Sequence, residues 1–157
     1  MSADIKFLAL GKEIPELMPP PPDLSFVSVR LAGNLVWLAG HGPNRMKKPP
    51  EFDYVGKVGR DLTKEEGYAA ARLVGLNLLV SLRNGIGTLD RVKQILQVVG
   101  AVNSAPSFTA QSFVVNGCSD LLVSIFGEEG KPARMAFGAS ELPFNMAVEA
   151  SMTVELA

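Results

Sequence analysis

The chain has one cysteine and one histidine among its 157 residues. A lone Cys118 excludes an intramolecular disulfide, and so few residues of these two types argue against a zinc site, which usually draws several ligands from them. Neither sign of charge dominates: 15 basic residues stand against 16 acidic ones, for a net charge of −1. With the basic residues scattered, the electrostatic footprint of a nucleic-acid-binding protein is missing, and only a small local patch stays open. No apolar run approaches the roughly 18 residues of a membrane span. The N-terminus also lacks the basic start and continuous apolar core of a signal peptide. These absences predict a soluble protein of the reducing cytoplasm, with no membrane partner.

What is present is apolar-rich sequence, 47% hydrophobic. It is long enough for one domain with a full core and too short for two. Part of that apolar surface is expected to lie between subunits. Residues 1–22 read as an arm over a single domain at 23–157. In the arm, Ala3 to about Leu10 can form a short helix, and Met18-Pro19-Pro20-Pro21-Pro22 must be extended, polyproline-like chain, a rigid connector or a proline-motif ligand.

Phe26 to Leu31 and Leu35 to Ala39 flank a Gly33-Asn34 turn, which predicts a β-hairpin. Gly40-His41-Gly42-Pro43 ends its second strand. His41 reads either as a proton carrier in a cleft or as a hydrogen-bonded loop residue. A polar, proline-broken loop covers residues 44–56, and Lys57-Val58-Gly59 can add a short strand. Thr63 and Glu66 form a capping box that starts a helix running to about Leu82, with Ala69, Leu73, Leu76 and Val80 on one stripe. Gly75 inside it costs about 1 kcal/mol relative to alanine, which close packing onto the sheet would explain. Val92 to Val99 is a β-branched central strand. Phe108 to Phe126 makes a second helix.

The C-terminal stretch carries the candidate chemistry. Met146, Val148, Ala150, Met152, Val154 and Leu156 alternate with smaller or polar residues, the period of a strand with one apolar face. Met135 and Phe137 alternate likewise with Arg134, Ala136 and Gly138. If these two arms pair directly around a turn at Glu141-Leu142-Pro143, antiparallel register sets Arg134 opposite Glu149 on the small-and-polar face. That pair reads either as a cross-strand salt bridge or as a ligand site, since arginine suits a small carboxylate held bidentately. The resulting order, β-β-(β)-α-β-α-β-β, predicts an α+β domain with both long helices on one face of a mixed sheet. The other face would be covered by association into a closed cyclic oligomer.

Gly56-Lys57-Val58-Gly59-Arg60-Asp61-Leu62-Thr63, Glu65 to Arg72, Gly100-Ala101-Val102-Asn103, Val115 to Leu121 and Pro132-Ala133-Arg134 through Val148-Glu149 resemble the YjgF/Rid family. Its members are also labelled reactive-intermediate imine deaminases or endoribonuclease L-PSP. The likeness spans about residues 23–156, and the arm and longer loop match a longer, less characterised branch. The resemblance implies a chorismate-mutase-like fold and a homotrimer with helices outside and clefts between subunits. It also implies a cofactor-free, metal-free hydrolysis of small 2-imino or enamine acids to 2-keto acids and ammonia. By the same likeness Arg134 would grip the substrate carboxylate, Glu149 would serve the attacking water, and Asn116 would line the cleft. The family pattern has a tyrosine at Phe26, a serine at Ala39, a cysteine at Ala136 and a glutamine-like residue at His41, beside Gly40. These departures make the cleft more apolar, and leave open a non-catalytic binder of keto acids or other small carboxylates. Ribonuclease activity is a more distant alternative.

Overall fold

The computed structural model describes residues 1–16, 22–44 and 53–157. A short helix α1 (Ala3–Leu8) precedes the hairpin β1 (Val29–Ala32) and β2 (Leu35–His41). Helix α2 (Lys64–Ile86), strand β3 (Val92–Asn103), helix α3 (Gln111–Phe126), and strands β4 (Ala133–Ala139) and β5 (Val148–Leu156) follow. The strands form one mixed sheet in the order β1-β2-β5-β3-β4. The anticipated α+β architecture is present, with both long helices on one face.

The alternation in β5 decides which face they cover. Val148, Ala150, Met152, Val154 and Leu156 are all buried, whereas Glu149, Ser151, Thr153 and Glu155 are only partly so. Under the helices the apolar positions join Val36 and Leu38 of β2, Val98 and Val102 of β3, and the inner faces of α2 and α3 in a single core. On the opposite face Trp37, Met135 and Phe137 remain substantially exposed.

The hairpin turns at Gly33-Asn34 as expected, with Ala32 paired to Leu35 and Gly33 at φ 61°. Its first strand begins at Val29 rather than Phe26. The short strand anticipated at Lys57-Val58-Gly59 is reduced to isolated bridges from Val58 to Leu62 and Ser104. Thr63 and Glu66 do form the reciprocal capping box of α2. That helix continues past Leu82 to Ile86, whose side chain is buried, and stops at Gly87 with φ 90°. Gly75 is explained by close packing, but against α3: a Cβ there would lie 3.0 Å from Leu121 Cδ2 and 3.3 Å from Cys118 Sγ. At Gly117 the approach is tighter still, since a Cβ would overlap the Tyr68 carbonyl of α2.

In the arm, Phe7 of α1 is buried, and Asp4 accepts from the Arg83 guanidinium at 2.8 Å and from the Leu89 amide at 3.0 Å. The expected polyproline chain falls, apart from Pro22, outside the described residues, as do residues 45–52 of the long loop.

The two C-terminal strands do not pair with each other. β3 lies between them, parallel to β4 and antiparallel to β5. Helix α3 returns the chain parallel to β3, so the segment after β4 must cross the end of β3 to reach its other side. Asn103, buried at that end, donates from Nδ2 to Asn145 Oδ1 at 2.9 Å and to the Met146 carbonyl at 3.2 Å. Its Oδ1 accepts from Lys57 Nζ at 2.9 Å. The turn near Pro143 is therefore a crossing loop, with Phe144 and Asn145 both at φ 55°, and not a hairpin.

Candidate functional site

Register fixes where the two candidate residues stand. Arg134 is level with Val98 of β3, while Glu149 is level with Ala101, so they are separated by three residues along β3 and by one intervening strand. They also face opposite ways. Val98, level with Arg134, lies under the helices, whereas Glu149 projects from the uncovered face. The expected juxtaposition within one chain is corrected: the sequence-level pairing omitted the central strand.

Glu149 stands over a shallow cavity of about 250 Å³ lined by Gly40, Val99, Ala101, Phe137 and Ser151 among others. Small residues make that space. A Cβ on Gly40 would come 3.0 Å from Glu149 Cδ and closer still to Oε1, so any side chain there would push the carboxyl out of this place. Burial among these apolar walls raises the carboxyl above its ordinary pKa, because the charged form is deprived of water. A carboxylate so placed is a better proton acceptor than one in bulk water.

Arg134 turns the other way, onto α3. Its Nη1 donates to Asn116 Oδ1 at 2.7 Å and to Ser119 Oγ at 3.1 Å, and its Nη2 donates to the Ser112 carbonyl at 3.3 Å. Three of the five guanidinium hydrogens are thereby used. Nε–H and one Nη2–H remain without a partner among the described residues. Arginine on an edge strand is thus held from behind with donors to spare, an arrangement suited to an anion.

The other anticipated residues divide between these places. Gly40 belongs with Glu149, and Asn116 with Arg134. Ala136, level with Gly100, lies on the Arg134 side of β4 and is half-buried. Phe26 is 59% exposed ahead of β1. His41 points to the helix side, where Nδ1 lies 2.7 Å from the Ala39 carbonyl and Nε2 lies 2.6 Å from Ser81 Oγ. Sequence reasoning missed Ser119 and Ser112. Spacing held a clue to the first, since Asn116 and Ser119 are three apart on one helix face. The one cysteine does not replace the sulfur absent at Ala136: Cys118 is buried, and burial pushes its thiol up to about 12. Among the described residues no three His, Cys, Asp or Glu side chains gather as a metal cluster. No helix among them is long and apolar enough to cross a membrane.

A five-stranded mixed sheet with two long helices on one face defines a chorismate-mutase-like α+β protein. The model of the family described as "YjgF/chorismate mutase-like, putative endoribonuclease" matches residues 5–156, and the chain belongs to that family. It is 41% identical over 148 residues to Protein TCP17 of Trypanosoma cruzi, covering 94% of this chain and 89% of that one. A crystal structure of a "putative endoribonuclease" from Shewanella oneidensis is 31% identical, with a TM-score of 0.88 over 99% of this chain and all of that one. RidA from an Antarctic Psychrobacter shares the fold at 19% identity and a TM-score of 0.59, over 88% of this chain and 94% of that one.

Proposed function

We propose that this protein hydrolyses small 2-imino or enamine acids to 2-keto acids and ammonia, without a cofactor, in clefts between subunits of a homotrimer. The observation that carries the reading is the pair of incomplete half-sites: an arginine with unused donors on one side of the sheet and a carboxylate of raised pKa on the other. A single copy cannot bring them to one ligand. Two copies can, if the edge strand β4 of one meets the uncovered face of the next. The exposed Trp37, Met135 and Phe137 give that face reason to be covered.

In such a cleft the free edge of Arg134 binds the substrate carboxylate, and each charge-assisted hydrogen bond contributes about 1.5–3 kcal/mol. Glu149 takes a proton from water as the oxygen attacks the imine carbon. That proton passes to the imine nitrogen to give the neutral carbinolamine. Glu149 then takes the hydroxyl proton and delivers it to the amino group as the C–N bond breaks, leaving the 2-keto acid and ammonia. Such imines hydrolyse unaided, so positioning supplies enough of the acceleration.

A binding module for small carboxylates is the second reading. Ala39 and Ala136 carry no hydroxyl or thiol, and His41 faces away from Glu149, so few groups could orient a water. The charge balance, net −1, gives the endoribonuclease label little support. Ammonia and keto acid released from 2-iminopropionate generated in situ test the proposal. Arg134→Ala should abolish both turnover and carboxylate binding, whereas Glu149→Gln should abolish turnover and keep binding. A protein that binds small carboxylates but accelerates no imine's hydrolysis would establish the second reading.

A further inference from the structure

β2 is irregular where it passes Glu149. Its pairing with β5 runs evenly from Leu35 to Leu38 and shifts before His41, a β-bulge that contains Ala39 and Gly40. Bulges re-aim what a strand presents. Here the bulge sets Gly40 directly against the Glu149 carboxyl.

Three side chains hold that bulge from the helix side of the sheet. The Ala39 carbonyl can only accept, so His41 Nδ1 carries the proton of their 2.7 Å hydrogen bond. In the neutral ring Nε2 is then the acceptor for the Ser81 hydroxyl at 2.6 Å. Burial favours this neutral form. One helical turn earlier in α2, Asn77 donates from Nδ2 to the Gly42 carbonyl at 2.7 Å. Backbone on both sides of Gly40 is thereby tied to a single face of α2. Asn77 Oδ1 is buried with no hydrogen-bond partner among the described residues, so the amide is held there by its donation to the Gly42 carbonyl.

We propose that His41, seated on Ser81, is a positioning residue for Glu149: it fixes the Ala39–Gly42 bulge and through Gly40 sets the place of the carboxylate. This rests on the imine-hydrolysis reading for its functional consequence, but the positioning itself can be measured without turnover. In this role His41 acts on the backbone of β2 through the Ala39 carbonyl and transfers no proton to the substrate. Side chains bordering Glu149 from the neighbouring strands are Val99 and Ala101 of β3 and Phe137 of β4, none of them ionisable. In the proposed oligomer a neighbouring copy's Arg134 faces Glu149 in wild type and variants alike, so it is the difference in Glu149 titration between them that reports how closely the bulge and these walls enclose it.

The test is to follow the Glu149 carboxyl by ¹³C NMR titration in full-length wild type, His41→Ala, His41→Asn and Ser81→Ala, with kcat and KM measured on the same samples. Loosening the bulge should admit water and move the Glu149 titration down toward the ordinary carboxylate value in His41→Ala and Ser81→Ala. His41→Asn, whose amide can donate to the Ala39 carbonyl, should restore much of the wild-type value. Turnover should follow, with kcat lower by roughly tenfold to a hundredfold and KM little changed. If His41→Ala does not fold, Ser81→Ala carries the same comparison with the imidazole retained. Folded variants whose Glu149 titrates as in wild type would overturn the proposal. Wild type inert toward every imine would instead sink the hydrolase reading, and the NMR comparison would still decide the positioning role.

Discussion

Arg134 and Glu149 project from opposite faces of one sheet, with β3 between their strands. The proposed chemistry consequently requires a second copy, and each half-site has its own support. Arg134 leans on α3, whereas Glu149 depends on the absence of a side chain at Gly40.

The arginine's support can be removed without touching the arginine. Asn116→Ala deletes its shortest hydrogen bond, 2.7 Å, and Ser119→Ala a second at 3.1 Å. A freed guanidinium must be ordered again when substrate binds. Asn116→Ala should weaken binding of a small carboxylate about tenfold, with Ser119→Ala weaker in effect, because hydrogen bonds to charged groups contribute about 1.5–3 kcal/mol. Isothermal titration with pyruvate would check this, and unchanged affinity in both variants would show that α3 does not orient the arginine.

Glu149 predicts a stability difference as well as a catalytic one. Its folded-state pKa is raised, so its favourable contribution is complete below the ordinary carboxylate value and is lost as pH rises through the folded value. Glu149→Gln stays neutral throughout. Its melting temperature relative to wild type should thus be higher at pH 7 than at pH 4, and the gap should close on acidification. A gap that widens toward acid would mean that Glu149 is favoured in its charged form in the folded protein.

Much of the fold was legible because it rests on local signals. The Gly33-Asn34 turn, the Thr63–Glu66 capping box and the alternation of β5 each specify an element from neighbouring residues alone. Which strands lie side by side is not local information. β4 and β5 are adjacent in the chain and look like a hairpin, but Asn103 and Lys57 draw the connecting loop across the end of β3, and no periodicity in β4 or β5 reports that. Arg134, Glu149, Gly40 and Asn116 are legible as candidates from pattern and resemblance, yet their distribution between two faces follows only from β3 in the middle. The turning of His41 toward Ser81 depends on a bulge, which the pattern of β2 does not reveal.

The crossing loop is predicted to depend on Asn103. Removing its amide in Asn103→Ala takes a donor from the Met146 carbonyl and from Asn145 Oδ1, while the Lys57 ammonium keeps the Ser140 carbonyl. The loss should be about 2–3 kcal/mol in urea unfolding, the scale of an unsatisfied buried polar group. A loss below about 0.5 kcal/mol, typical of a surface substitution, would show that the loop crosses β3 without its help.

Two glycines at the α2–α3 contact should respond differently to alanine. Gly75→Ala meets the flexible end of Leu121 and gains about 1 kcal/mol of helix propensity, so the net change should be small. Gly117→Ala drives a methyl into the Tyr68 carbonyl, and backbone cannot step aside as a side chain can. It should destabilise by about 2–3 kcal/mol, in the range of overpacked cores. Equal effects at the two positions, read from thermal unfolding, would mean that the helices are not in closest contact at Gly117.

The most direct test of a site shared between copies is subunit mixing. Arg134→Ala and Glu149→Gln, each inactive alone, would be unfolded together, refolded as mixed oligomers and assayed for ammonia release from 2-iminopropionate. If one copy supplies Arg134 and its neighbour Glu149, random assembly leaves about one site in four with both native residues, and activity should return to about a quarter of wild type. Complete inactivity of the refolded mixture, with active wild type recovered by the same procedure, would contradict the shared site.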